Sequence, residues 1–470
     1  MRAKPQIRGL RTGADRTDLY DAAHIRDPWV ALTTELKPPL SSIEAESEAY
    51  RCLLCGGPKA PAPCTLACPA EIDIPKFIDS IGRGDLGQAA TTIMDSNPLG
   101  GTCARVCPTE VLCEGSCVLL HEGQRAVDIG RLQRFAIDSV GPLGDFDGLV
   151  SRPLNGKRVA VIGAGPAGMS CAAVLGGLGY EVVVYDNHRE VGGLVRYAIA
   201  PYRELNDPLP EERKRIERMG VRFDLETSID SIQAIKTLER DFDAIFLGIG
   251  MGEDAEISNE GSNLSGVWSS LPFIEAIKAG ELPHVGDKVA VIGGGNTAID
   301  VAREALRLGV KTVVVLYRRT QAEAPAFPLE IAEAMQEGVE FLWLTTPLRI
   351  LGDTRVRAIE CKRMRLGNTD DSGRRRPEPI EGSEFEVPVD AVIYAIGQQP
   401  RSYFLGWIYG LEANSRNIVA NPSTGQTENL QYFIGGDVLN GGDTVVEAVR
   451  MGKVAASGIH QYLSESEASL

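Results

Sequence analysis

The sequence has no excess of basic charge. Its 48 Lys and Arg stand against 64 Asp and Glu, a net charge of −16, so the electrostatic footprint that a nucleic-acid partner requires is missing. The basic opening MRAKPQIRGLRTGADR has no apolar core behind it, and a secretory signal is therefore not expected. Charge-free runs are scarce too. The one that could mislead spans the 22 residues from Val159 to Tyr180. Glycine punctuates it so heavily that it reads as strand, tight turn and helix, not as a membrane span. The chain is expected to work in the cytoplasm, off the membrane, where thiols stay reduced and disulfides are disfavoured. An apolar content of 43% over 470 residues is that of an ordinary packed protein, with room for about three domains.

Cysteine is abundant, and in one place. Eight of the ten lie between positions 52 and 117, as Cys52, Cys55, Cys64, Cys68 and then Cys103, Cys107, Cys113, Cys117. Zinc sites pair their cysteines in two short knuckles across a longer excursion. A run ending in C-x3-C-P is instead the habit of [4Fe–4S] binding, and Pro69 and Pro108 each follow a cysteine in that way. Iron–sulfur ligation is the favoured reading; zinc, and unligated buried thiols, are the alternatives. Cys171 and Cys361 stand apart and read as core residues. Between the two groups, EIDIPKFIDSIGRGDLGQAATTIMDSNPLGG carries apolar residues at helical spacing. The reading is a helical module too rich in cysteine for a conventional core, folded in part by its clusters.

Two dinucleotide fingerprints follow. KRVAVIGAGPAGMS runs a β-branched strand into Gly163, Gly165, Pro166, Ala167 and Gly168, and the next strand ends in Asp186. The first glycine makes the turn, the second admits a pyrophosphate, the third lets helix and strand pack, and the acid suits a ribose hydroxyl. DKVAVIGGGNTAID repeats the unit with Gly293, Gly295, Asn296 and Thr297, but its second strand ends in Arg318 and Arg319. Guanidinium groups there pair with a 2′-phosphate, which favours NADP(H) over NAD(H). Two solvated arginines are the bland alternative. Towards the C-terminus, Gly397 lies in the turn VIYAIGQQP. Gly435-Gly436-Asp437 precedes a long helix near Thr444, and in two-dinucleotide flavoproteins such a Gly-Asp lies beside FAD. The first fingerprint is thus assigned to FAD and the second to the nicotinamide.

With CLLC, ACPAEIDIPKFI, NPLGGTCARVCPTEVLCEGSC, DIGRLQRFA, VIGAGPAG, YDNHREVGGLVRYAI, VIGGGNTAID and GGD in order, the chain resembles the glutamate synthase small (beta) subunit family. These are FAD and iron–sulfur NAD(P)H oxidoreductases, and the amino-terminal half of dihydropyrimidine dehydrogenase is the relative nearest in motif. The resemblance implies an α/β fold: a helical double [4Fe–4S] module over residues 1–150, then two Rossmann-like domains in a glutathione-reductase-like arrangement. An FAD domain, 151–280 and 389–470, would be split by an NAD(P)H domain at 281–388. Gly193 and Leu194 would join the flavin site. One cluster would take Cys52, Cys55, Cys64 and Cys117; the other would take Cys68, Cys107, Cys113 and Gln133, with Cys103 a spectator. GGPKAPAP makes the second gap eight residues where the family has four, which leaves Cys64 the least secure ligand.

The implied chemistry is electron input. Hydride from NAD(P)H would reach FAD, which can pass its electrons on singly, and two clusters would hand them to a catalytic partner subunit or a ferredoxin. Hydride transfer needs no acid or base from the protein, so no catalytic residue is named. No barrel or second flavin region remains for another substrate, and no redox CxxC lies in or after the dinucleotide domains. A hetero-oligomer is expected. Glutamine at position 133, where the glutamate synthase type carries glutamate, favours a dihydropyrimidine dehydrogenase catalytic subunit as partner. A glutamate synthase partner, a stand-alone NADPH–ferredoxin oxidoreductase and a non-catalytic scaffold are the alternatives. If it is no ligand, Gln133 merely caps or packs on a helix.

Overall fold

Asp73 and Asp85 each turn a carboxylate onto the third backbone N–H of the helix that follows, and Ser41 closes a full capping box with Glu44. These caps set the starts of short helices in the first third of the chain. The computed structural model describes residues 28–32, 34–57, 59–141, 152–205, 207–255, 259–369, 373–411 and 418–468. The basic N-terminal stretch and the expected boundary at 150/151 lie outside these residues.

The N-terminal part is helical: α1 (Pro28–Leu32), α2 (Ser42–Ala49), α3 (Pro63–Ala67), α4 (Ile74–Gly82), α5 (Leu86–Ser96), α6 (Gly100–Val106) and α7 (Ile129–Ser139). The first α/β unit has β1 (Arg158–Ile162), α8 (Pro166–Gly177), β2 (Glu181–Tyr185), α9 (Leu194–Ala198), α10 (Leu209–Arg218), β3 (Arg222–Asp224), α11 (Ile232–Asp241) and β4 (Ala244–Leu247). The second has β5 (Val267–Ser269), α12 (Ser270–Lys278), β6 (Lys288–Ile292), α13 (Asn296–Arg307), β7 (Thr312–Tyr317), α14 (Pro328–Gln336) and β8 (Glu340–Trp343). A three-stranded antiparallel sheet, β9 (Thr345–Gly352), β10 (Val356–Thr369) and β11 (Arg375–Pro388), precedes β12 (Ala391–Tyr394). The chain ends in α15 (Ser402–Leu405), β13 (Tyr432–Ile434), α16 (Asp437–Asn440) and α17 (Val445–Ala468).

Two five-stranded parallel sheets result, β13-β4-β1-β2-β3 and β5-β12-β6-β7-β8. Strand β13 returns to the first sheet from far along the chain, so that unit is split around the second. The expected boundaries need correction. β5, placed before 280, and β12, placed after 388, both pair within the second sheet, because their fully or largely apolar strands complete its two-sided core. The antiparallel arm β9–β11 is an addition to the expected plan. Its alternating polar and apolar residues give no fingerprint, only a strand pattern.

The helical module does own a core. Phe77, Ile93 and Leu132 are fully buried and continuous with Val161, Met169, Val449 and Ile459 of the first unit. Cysteine-rich it is, but its apolar residues share one interior with the flavin-type sheet. Leu32 behaves differently: it packs with Phe273 and Ile299 in the core of the second unit. The described residues between 28 and 40 therefore form a strap from the second unit to the helical module, whose core Leu40 joins. Leu36 N–H donates to Tyr202 O at 2.9 Å, and Glu35 pairs with Arg134 of α7 at 2.9 Å.

Candidate functional site

The first glycine turn is built by close approach. Gly163 has φ +103°, and a Cβ on Gly168 would lie 1.8 Å from Gly163 O, so both must be glycine. Gly192 N–H donates to Ala164 O at 2.8 Å, which lays the 192–194 loop over the turn. A Cβ on Gly193 would come within 3.1 Å of Gly165 Cα, and one on Gly436 within 2.9 Å of Ala167 Cβ. The structure therefore brings Gly163, Gly165, Pro166, Ala167, Gly168, Gly193, Leu194 and Gly436 to one place, at the carboxyl end of β1 and the N-terminus of α8. That is where a parallel α/β sheet receives a pyrophosphate.

Asp186 follows β2 and accepts from Ala164 N–H at 2.7 Å and His188 N–H at 2.8 Å. Burial works against its charge, but these bonds and the His188 ring, Nδ1 at 3.0 Å, hold its carboxyl below the usual range. The same contact raises His188. His188 was missed from sequence because only the fold sets its ring against Asp186. Asp437 lies with Gly436 and accepts from Asp443 N–H at 3.3 Å; burial pushes its carboxyl up. The Thr444 hydroxyl accepts from Glu447 N–H at 3.3 Å, capping α17. Gly397, φ +98°, lies in the second of two linkers between the units, paired with the first through Gly252 N–H to Gln399 O at 2.6 Å.

The second turn repeats the plan. Gly293 packs against Ala395 O, with Ala298 where the first turn has glycine, and Gly295 precedes α13. Thr297 is exposed in the first turn of that helix. Asn296 serves the loop instead, since its Oδ1 accepts from Phe327 N–H at 2.9 Å and ties down the segment before α14. The two arginines part company. Arg318 is exposed, whereas Arg319 is 5% exposed, its Nε donating to Arg375 O at 2.8 Å on the arm. The sequence treated them as equals; consecutive strand-end residues face opposite ways. A cavity of about 550 Å³ lined by His284, Asp287, Leu308 and Asp390 sits at the other edge of this sheet, where the strands begin, and belongs to neither turn.

The thiols gather in two groups. Cys52, Cys55, Cys64 and Cys117 line one small cavity with Ile74, Ile78 and Ile129. Between Cys55 and Cys64, Gly57 and Ala60 exchange both backbone hydrogen bonds, at 3.0 and 3.2 Å, and Cys64 lines the same cavity as Cys55. In the second group Cys107 shares a hydrogen bond with Cys103 and lies close to Cys68 and Cys113. Cys103, set aside from sequence, is thus in contact with this group through Cys107. Gln133 is buried on α7 against the start of α6, the helix that carries Cys103, its amide N–H donating to Gly100 O at 2.7 Å. Burial pushes the thiols of Cys52, Cys68 and Cys113 up, and Cys64 to about 12. For Cys107 the Cys103 contact acts first and burial second. Buried thiols like these ionise only beside a cation. Among the described residues no three Cys, His, Asp or Glu side chains converge on a single ion. Four cysteines around one cavity and a second gathering of cysteines are a donor set that fits [4Fe–4S] binding.

Among the described residues no helix is long and apolar enough to cross a membrane. Residues 157–452 match the family model described as pyridine nucleotide-disulphide oxidoreductase, and residues 30–142 match that of dihydropyrimidine dehydrogenase domain II, 4Fe-4S cluster. The glutamate synthase [NADPH] small chain of Halomonas elongata is 36% identical over 443 residues, 91% of this chain and 93% of that one. That of Escherichia coli K12 is 36% identical over 448 residues, with the same shares. The beta subunit of the NADP(+)-dependent formate dehydrogenase of Moorella thermoacetica is 35% identical over 88% of this chain but 61% of its own length. In fold, the chain is similar to Mycobacterium tuberculosis FprA in complex with NADPH, at 19% identity, TM-score 0.54, 68% of this chain and 86% of that one.

Proposed function

The chain belongs to the FAD and iron–sulfur NAD(P)H oxidoreductases that include the glutamate synthase small chains, and from that premise we propose that it is the electron-input subunit of a larger enzyme. The observation that carries the reading is adjacency. The segment after Cys68 docks on α17, and α17 packs against α8 so closely that a Cβ on Gly452 would lie 2.2 Å from Ala167 O. The second thiol group and the first glycine turn are thus reached from one helix, in one shared interior.

The bound cofactors would supply hydride acceptance, two-electron to one-electron conversion and single-electron transfer. The chain's part is binding and orientation. Backbone N–H groups at the start of α8, with the 192–194 loop and Gly436, would cradle the FAD pyrophosphate, and Asp186 would hold its ribose. Gly293, Gly295 and Thr297 would cradle NADP(H), with Arg318 on the 2′-phosphate. Cys52, Cys55, Cys64 and Cys117 would hold one [4Fe–4S] cluster. Cys68, Cys107 and Cys113 would hold the other, with the Gln133 oxygen as fourth donor, since its amide nitrogen is committed to Gly100.

The partner expected from Gln133 gives way. A helix-to-helix hydrogen bond accounts for glutamine there whatever the partner, and the glutamate synthase small chains are spanned at 93% of their length. A glutamate synthase large subunit is therefore the proposed acceptor, replacing the dihydropyrimidine dehydrogenase subunit. Anaerobic purification should give about one FAD and close to eight irons per chain, and that large subunit should copurify. Zinc in place of iron overturns the cofactor reading; a ferredoxin in place of the subunit overturns the partner.

A further inference from the structure

Lys453 stands where the flavin-type unit meets the second thiol group. It lies on α17 directly after Gly452, the residue pressed onto Ala167 O of the first glycine turn. Its Nζ donates to Ala70 O at 2.9 Å and to Ser96 O at 2.7 Å, both carbonyls of the helical module. Ala70 is two residues past Cys68, so the bond to its carbonyl holds the ammonium against the stretch of chain that carries that thiol. Lysine normally keeps its ammonium in water, and a neutral donor would satisfy two carbonyls at lower desolvation cost. A charge in this position therefore calls for an electrostatic purpose. Glu71, the other group facing it, is exposed and screened by solvent. Arg450, one turn earlier, is paired to Glu447 at 2.6 Å.

Building on the assignment of Cys68 to the second cluster, we propose that Lys453 sets the reduction potential of that cluster. Each reduction adds one electron and so one negative charge, with no bond made and no proton moved. The donor is the flavin reduced by the pyridine nucleotide. A fixed cation beside a ligand sulfur stabilises the more negative, reduced state, and charge and hydrogen bonding near the sulfurs are the protein's levers on cluster potential. Lys453 is thus a positioning residue with an electrical role: it would make a cluster held by the second thiol group easier to reduce.

The test separates charge from docking. Lys453→Gln keeps an N–H donor for the two carbonyls without the charge, Lys453→Met removes both, and Lys453→Arg keeps the charge. Whole protein with full flavin and iron would be titrated potentiometrically and followed by EPR. In the Gln and Met variants one cluster should become harder to reduce, its reduced-to-oxidised ratio at fixed potential falling roughly tenfold, about 59 mV for a one-electron couple. The other cluster should stay put, and Arg should return the first towards wild type. Unchanged potentials for both clusters in the Gln and Met variants would reduce Lys453 to a docking residue and overturn the proposal. A wild-type protein lacking two cluster signals would overturn the underlying cluster assignment instead, before any variant is compared.

Discussion

Glu212 of α10 caps the helix that carries Cys103: its Oε1 accepts from Gly101 N–H and Thr102 N–H at 2.9 Å each, and its Oε2 from the Thr102 hydroxyl at 2.6 Å. Burial raises its carboxyl from 4.5 to about 7, against the pull of those bonds and of Arg105. Nearby Glu204 is raised in the same way, to about 8. The folded protein therefore binds protons that the unfolded chain has already released. Between pH 4.5 and about 7 stability should fall as pH rises, and Glu212 should add nothing further above that window. The shift is worth at most about 3–4 kcal/mol. Urea midpoints from about pH 5 to 8 check this, and Glu212→Gln should flatten the slope. An unchanged slope in that variant would place the titration elsewhere. Glu212→Ala should instead cost about 1–2 kcal/mol through the lost helix cap.

Arg318 and Arg319 should separate by nucleotide. Exposed Arg318 changed to Gln should raise KM for NADPH with little effect on NADH. The loss expected of a charge-assisted contact is about 1.5–3 kcal/mol in kcat/KM. Arg319 is buried with its Nε on the arm, so Arg319→Gln should lower stability and affect both nucleotides alike. Equal nucleotide effects from both variants would remove Arg318 from the phosphate site.

Two glycines distinguish a cradle from a linker. Gly168→Ala puts a methyl 1.8 Å from Gly163 O, backbone that cannot yield, and purified protein should have lost its flavin absorbance. Gly397→Ala meets nothing within 4 Å and carries only the strain of φ +98°, about 1–2 kcal/mol. It should keep its flavin and lose only that stability.

What sequence could show was local or periodic. The glycine turns, strand–helix–strand spacing and cysteine runs are all short-range signals, and each lies where it was read. Sheet membership is not short-range. β5 and β12 are brief apolar strands with no mark of the sheet they will join, and β13 pairs with β4 from far along the sequence. The fates of Arg319, Asn296 and Cys103 were equally hidden, since each depends on a partner supplied by another segment. The strap at 28–40 has no motif at all; Leu32 and Glu35 gain meaning only from the core and the arginine they reach.

The two α/β units are joined by buried charge, and that joint should carry much of the stability. Arg203, between α9 and α10, pairs with Asp300 of α13 at 2.6 Å and with Glu330 of α14 at 2.9 Å, while the Tyr202 hydroxyl donates to Asp300 at 2.6 Å. Side chains in these pairs are 14% exposed or less, and Glu330 Oε2 already lacks a partner. Arg203→Met would strand two carboxylates in the interior, where breaking a buried pair costs about 3–5 kcal/mol. The predicted result is a large fall in the urea midpoint, with hydride transfer slowed because this joint, together with the Lys278 bonds to Val195 O and Ile199 O, helps hold the second unit against the first. Replacing Arg203, Asp300 and Glu330 together by apolar residues of similar size should recover most of the stability, because no unpaired charge is then left behind. A single Arg203→Met variant as stable as wild type would mean that the joint is solvated and the units turn freely on their linkers.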